Sequence, residues 1–130
     1  MNELSIRTSE KCCLIDITRE VSRVINNSGI KSGIATLFVP HTTASITINE
    51  NADPDVKTDI LMKLDKIVDS DMEFRHSEGN SAAHLKAVMT GFSVSVIIED
   101  GVMQLGTWQG IYLCEYDGPR TRKVYIKTMG

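Results

Sequence analysis

From Phe92 to its end the sequence reads as strand and turn with no helical segment. Residues 92–99 and 102–105 flank Asp100-Gly101, a dipeptide suited to the tight two-residue turn of a β-hairpin, so these runs are expected to pair. Residues 111–116 and 121–128 flank a turn holding Asp117, Gly118 and Pro119, and a second pairing is expected there. Strands joined by such short turns run antiparallel, because a parallel return needs a long crossover. A chain that ends this way is confined to an antiparallel sheet system.

The upstream half adds helices to that system. Residues 4–8 and 11–16 read as short strands. Thr18 is expected to cap a first helix, with Glu20 in its first turn, an apolar stripe at Val21, Val24 and Ile25, and Gly29 as its stop. Residues 34–39 and 44–49 are rich in β-branched side chains and predict two more strands, bounded by Pro40-His41 and Asn51. The second helix is the best marked. Asp53 caps it, Pro54 takes its first position, and Val56, Ile60, Leu61, Leu64, Ile67 and Val68 repeat at helical spacing. Residues 69–80 form a polar loop holding Asp71, Glu73, Arg75, His76 and Glu78. Asn80 or Ser81 then caps a third helix through Met89, stopped by Gly91. The order ββαββααββββ predicts an α+β fold. One domain over residues 1–130 is expected, an antiparallel β-sandwich or barrel-like sheet system with helices packed to one side.

Composition narrows the function classes. Fourteen basic residues against 17 acidic ones leave a net charge of −3, which argues against a general nucleic-acid binder. With 42% hydrophobic and 24% charged residues the chain is a folding one, and its 130 residues need neither disulfide nor metal merely to fold. No apolar run approaches a membrane span and the first residues do not resemble a signal segment, so a cytoplasmic protein without membrane contact is expected. The cysteines, Cys12, Cys13 and Cys114, are odd in number and two are adjacent, which predicts buried thiols in a reducing compartment. Charge is unevenly spread: nine acids and four bases lie between Glu50 and Glu78, whereas four bases and no acid follow Gly118.

Four segments carry candidate chemistry. Pro40-His41-Thr42-Thr43 places an imidazole and two hydroxyls at a strand end, where ligand contacts are common. In the second, His76 sits in the polar loop and His84 one turn into the third helix, so the chain can fold back to bring both rings to one ion. With His41 they would make a three-histidine set that leaves a fourth position open on zinc for an activated water. The third, Leu105-Gly106-Thr107-Trp108-Gln109-Gly110, holds the only tryptophan between glycines, either to stack on a heterocycle or to fill a sandwich edge. In the fourth, Glu115 and Asp117 share a side of a strand, with Arg120 and Arg122 beyond; these arginines either bind an anion such as phosphate or close surface ion pairs. No P-loop, dinucleotide fingerprint, nucleophile elbow or H-E-x-x-H string is present.

Together these strings, with Asn49-Glu50-Asn51, Asp53-Pro54-Asp55-Val56, Asn80-Ser81-Ala82-Ala83-His84 and Asp117-Gly118-Pro119-Arg120, resemble the YjbQ-type family of secondary thiamine-phosphate synthases over nearly the whole chain. The resemblance implies an α+β sandwich-like barrel assembled as a homotrimer, with sites near subunit contacts. It implies a shared site at His41, His76 and His84, holding a divalent metal (zinc or magnesium) or an anion. The activity it implies joins an aminopyrimidine methyl diphosphate to a thiazole phosphate with release of pyrophosphate. On that reading His41 or His84 is a metal ligand or acid/base group, and Glu50 and Glu115 bind Mg²⁺ or position the pyrimidine. Trp108 faces the pyrimidine cation, Arg120 and Arg122 hold the phosphates, and Thr42, Thr43, Asn80, Gln109 and Asp117 make further substrate contacts. Two rival expectations are a metal-dependent hydrolase using the three histidines and a non-catalytic trimeric module for a small anionic metabolite.

Overall fold

In a computed structural model of the chain, residues 1–69 and 72–130 are described; Ser70 and Asp71, in the polar loop expected from the sequence, lie outside the described residues. Eight strands and three helices follow in the order β1 (Asn2–Arg7), β2 (Cys13–Asp16), α1 (Thr18–Ser28), β3 (Ser32–Phe38), β4 (Ala44–Glu50), α2 (Pro54–Ile67), α3 (Ser81–Thr90), β5 (Ser93–Glu99), β6 (Val102–Met103), β7 (Gln109–Glu115) and β8 (Thr121–Met129) among these residues. The strands form two antiparallel sheets, one ordered β1-β8-β3-β5-β6 and the other β2-β7-β4.

The alternation of side chains assembles the sandwich. Ala35 and Leu37 of β3, Val96 and Ile98 of β5, and Val124 and Ile126 of β8 project from the larger sheet into a shared core. Ala44 and Ile46 of β4, with Ile111 and Leu113 of β7, meet them from the smaller sheet. Helix α1 adds its stripe of Ile17, Val21 and Ile25 to the same core. On the opposite face of the smaller sheet, Leu14, Tyr112, Cys114 and Tyr116 pack against Ala83 and Ala87 of α3 and Ile60, Leu61 and Leu64 of α2. Helices α2 and α3 therefore cover one side, and the fold is the α+β sandwich expected from the sequence. The outer face of the larger sheet has no helix over it and exposes Ile34, Phe38, Ile97 and Met129.

The local signals behave unevenly. Asp53 accepts a hydrogen bond from Asp55 N–H at 2.9 Å with Pro54 in the first turn, as expected of an Asp-Pro start. Gly29 ends α1 at φ 73°, a conformation that glycine adopts without a Cβ penalty. Thr18 is instead the first helical residue, and the Asp16 carboxylate accepts from both its N–H and its hydroxyl. The β5–β6 pairing across Asp100-Gly101 forms as expected. The pairing expected between residues 111–116 and 121–128 does not form. β7 pairs with β2 and β4, whereas β8 pairs with β1 and β3, so the turn through Gly118-Pro119 carries the chain from one sheet to the other.

Candidate functional site

At one end of the sandwich the inward-facing rows finish in charge. Glu115 is the inward position after Ile111 and Leu113 on β7, and Arg122 precedes Val124 and Ile126 on β8. The Arg122 Nε lies 2.9 and 3.0 Å from the two Glu115 oxygens, and its Nη2 also donates to Glu115 and to Thr43 Oγ1 at 2.9 Å. Thr8, at the end of β1, donates its hydroxyl to Glu115 at 2.7 Å, and Asp117 N–H donates to the same carboxylate at 3.1 Å. Burial alone would raise the Glu115 carboxyl; these donors outweigh it and hold it below the ordinary carboxylate range. With Glu115 at 0% exposure and Arg122 at 2%, neither side chain can meet a dissolved metabolite. Arg122 and Glu115 are thus corrected from substrate or Mg²⁺ contacts to a buried pair that closes the sandwich. Thr43, equally buried, belongs to it too.

Two residues before Thr43, His41 stands half-buried on the β3–β4 connection, its Nε2 accepting from Lys123 N–H at 2.9 Å. A neutral imidazole that accepts at Nε2 carries its proton on Nδ1 and can donate it. Burial first, and then the Arg122 guanidinium, push this imidazole below its ordinary range, with Arg120 and Lys123 acting in the same direction and Glu115 against it. His41 and Thr42 line a shallow hollow with Phe38, Val39, Pro40 and Phe92.

Beside this site the sheet-to-sheet turn brings Asp117, Arg120 and Asn80 together. Arg120 Nη2 lies 3.1 Å from the Asp117 carboxylate and its Nε 2.8 Å from the Asp117 carbonyl. Asn80 Nδ2 donates to the same carboxylate at 2.9 Å, so its side chain leaves α3 without the cap expected there. A Cβ at Gly118 would lie 2.9 Å from Thr8 Oγ1, so only glycine lets this turn press against the buried pair. Arg120, half exposed, is the arginine of the two that can reach an external anion.

The three histidines are not one set. His76 and His84 meet edge to face with ring centroids 5.3 Å apart, as the eight-residue spacing allows. They line a hollow with Phe74, Ser81 and Leu85 that does not include His41. Among the described residues no three of His, Cys, Asp or Glu converge as a metal ligand set. Two imidazoles fall short of the three protein ligands of an open zinc site, so the described residues of one chain do not assemble the three-histidine zinc site by themselves.

Glu50, Trp108 and Gln109 sit at the far end. The register pairs Glu50 with Gln109 and Ala44 with Glu115, and the six-residue step along β7 separates the two ends by roughly 20 Å. Trp108 is 62% exposed and fills no sandwich edge. Its turn is held by Gly106 N–H to Gln109 Oε1 at 2.8 Å and by Asn51 N–H to the Trp108 carbonyl at 2.9 Å. Gln109 is thus occupied in its own turn. These three residues cannot share a small ligand with His41 and Arg120 of the same chain.

The sequence reading overlooked Thr8 and Lys86. Thr8 carries no motif. Lys86 was legible as the residue between Ala83 and Ala87 on the small apolar face of α3, the face that is buried.

A family model described as UPF0047 protein YjbQ-like matches residues 2–130. The chain belongs to the YjbQ/UPF0047 family. It is 55% identical to UPF0047 protein YugU of Bacillus subtilis, over 100% of this chain and 99% of that protein. A UPF0047 protein of Methanocaldococcus jannaschii is 50% identical over 96% of this chain and 91% of its own length. Among solved structures, an uncharacterized YjbQ/UPF0047 family protein of Clostridium acetobutylicum superposes with a TM-score of 0.97 at 53% identity, covering 99% of this chain and 100% of that one. A YbjQ-like protein of unknown function from Sulfolobus solfataricus gives 0.95 at 34% identity, covering 99% and 95%. These names correct the expected activity. They attach no thiamine-phosphate synthesis to the YjbQ/UPF0047 family, and that assignment is withdrawn for this chain. No helix of the described residues is long and apolar enough to cross a membrane.

Proposed function

We propose that the end of the sandwich bearing His41 and Arg120 binds a small phosphorylated metabolite. One observation carries this reading: the half-exposed Arg120 guanidinium stands at the same end of the sandwich as the accessible His41 imidazole, on which Arg122, Arg120 and Lys123 all act. Each of these cations has a carboxylate partner, Arg122 in Glu115, Arg120 in Asp117 and Lys123 in Glu3, so a phosphate would share Arg120 with Asp117. Arg120 supplies a guanidinium to the phosphate oxygens, and His41 adds a neutral Nδ1–H donor. Arg122 contributes field and positioning without contact. Calorimetric titration with inorganic phosphate and pyrophosphate tests the reading. Arg120→Ala and His41→Ala are each expected to weaken binding at least about tenfold, as loss of a charge-assisted hydrogen bond does. Wild-type affinity in both variants would sink it.

The partner reading extends to self-association. A homotrimer is the assembly that the family resemblance implies, and the bare outer face of the larger sheet, with Ile34 opposite both Ile97 and Met129, supports burial against another copy. Light scattering at micromolar concentration is expected to give three times the 14.4 kDa chain mass. The unpaired thiols at Cys12, Cys13 and Cys114 support a reducing, cytoplasmic setting.

A further inference from the structure

A second cleft, of about 540 Å³, opens between α2, α3 and the loop joining β1 to β2, with Asn80 and Asp117 also in its lining. Its floor holds Lys86. The side chain is 7% exposed and reaches one acceptor among the described residues, Asp65 of α2, whose carboxylate oxygen lies 3.2 Å away and is itself largely in solvent. An ammonium carries three donors, and a charge this buried ordinarily has them engaged. Two are left pointing at space that a ligand oxygen can fill.

The rest of the lining sets the class of ligand. Lys11 and Cys12 line the same cleft as Lys86. Glu78 also lines the cleft; it is 72% exposed, and His76 is its one ion-pair partner among the described residues, at 3.9 Å. Phe74 adds an apolar surface. Three carboxylates, Asp65, Glu78 and Asp117, border the cleft against two ammonium groups, which disfavours a multiply charged anion such as phosphate. A small ligand with one carboxylate and one cationic group suits a lining that carries both signs of charge. Burial raises the Cys12 thiol above its ordinary range despite the two lysines, so it is a neutral wall and recognition is noncovalent.

We propose that this cleft binds a small zwitterion of the α-amino-acid class, its carboxylate on Lys86 and Lys11 and its ammonium on Glu78. This cleft adjoins the proposed phosphate site through Asp117, and it is probed by different ligands and variants.

The melting temperature of the full chain is measured with L-α-amino acids, with their N-acetyl and amide forms, and with inorganic phosphate. At least one free amino acid is expected to raise it saturably, by about 5 °C at ten times its dissociation constant. The N-acetyl form lacks the cation and the amide lacks the anion, so neither is expected to do so. Lys86→Met keeps the apolar stem and is expected to abolish the shift. Glu78→Gln, at the surface, cannot upset folding and is expected to weaken amino-acid binding at least about tenfold while leaving phosphate binding unchanged. No shift with any free amino acid, equal shifts with the blocked forms, or wild-type affinity in Glu78→Gln would each overturn the proposal. Loss of phosphate binding alone would leave it standing.

Discussion

Replacing Arg122 by Met removes the cation from the buried pair while keeping an apolar stem of similar length. Glu115 would then retain the Thr8 hydroxyl at 2.7 Å and the Asp117 N–H at 3.1 Å but would lose every charged donor. Its exposure is 0%, so water does not replace them. Removing one partner of such a pair costs about 3–5 kcal/mol, because an uncompensated charge stays inside. For a chain of 130 residues, with an unfolding entropy of about 2 cal/mol/K per residue, that corresponds to a melting temperature lower by about 11–18 °C. The double variant Glu115→Gln/Arg122→Met leaves no buried charge, so it is expected to recover most of that loss. Urea unfolding of the four proteins in this cycle, at constant pH and salt, measures the coupling directly. A loss below about 1 kcal/mol in Arg122→Met, or a double variant that merely sums the two singles, would refute the argument that burial controls this pair. The acid limb gives a second readout. A carboxyl held below its unfolded value contributes stability that is complete above the unfolded carboxyl range and disappears as pH falls through the folded value. The wild type is therefore expected to lose stability on acidification more steeply than Glu115→Gln.

Three further outcomes follow from the same geometry. The His41 ring, followed by NMR, is expected to titrate below an ordinary histidine; since its folded value is depressed, its contribution is present above the unfolded pKa near 6.5 and falls as pH drops below it. A titration at or above the ordinary value would contradict the cationic surroundings described for it. Gly110→Ala places a Cβ 2.5 Å from Asn51 Nδ2 and 2.8 Å from its Cβ, and is expected to cost about 1–3 kcal/mol in chemical denaturation; a neutral substitution would mean that Asn51 moves freely. Trp108→Ala is expected to leave phosphate affinity within about twofold, because roughly 20 Å of β7 separates it from His41. A tenfold loss in calorimetry would return the tryptophan to the site.

Where the sequence reading succeeded, the signal was local. Asp53-Pro54, Gly29 and Asp100-Gly101 act on their own backbone, and each shapes the chain as its chemistry requires. The strand alternation was equally legible, since period two separates inner from outer faces whatever the partner strand. It does not name that partner. Residues 116–120 between β7 and β8 are enough either for a hairpin, with strands about 5 Å apart, or for a step to the facing sheet about 10 Å away. The second solution prevails here because β7 already has β2 and β4 on its two edges. The candidate site failed in the same manner. Spacing brought His76 to His84, but helix phase turns Asn80, Ala83 and Lys86 towards one cleft and Ser81, His84 and Leu85 towards another. His41 lies in a third hollow, whose place depends on how the two sheets stack.

That stacking also accounts for the position of the proposed phosphate site at this end of the sandwich. The inner faces of β7 and β8 carry apolar residues until they reach Glu115 and Arg122, where an ion pair takes the place of a hydrophobic layer. A pair of this kind is rarely more stabilising than well-packed apolar residues. Its distinctive effect is directional. Arg122 Nη2 donates to both the carbonyl and the hydroxyl of Thr43, at 3.2 and 2.9 Å, and so fixes the chain two residues after His41. Thr8 in turn accepts from Arg120 N–H at 2.9 Å, which holds the turn bearing the exposed guanidinium. The two side chains proposed to meet a phosphate are therefore both tethered to one buried network. Arg122 is a positioning residue on this reading, and an apolar substitute for the pair that restored stability would still loosen His41 and Arg120. Measuring phosphate affinity in the stabilised double variant separates the two roles: wild-type stability with at least about tenfold weaker binding is expected, and unchanged affinity would show that the network does no more than close the core.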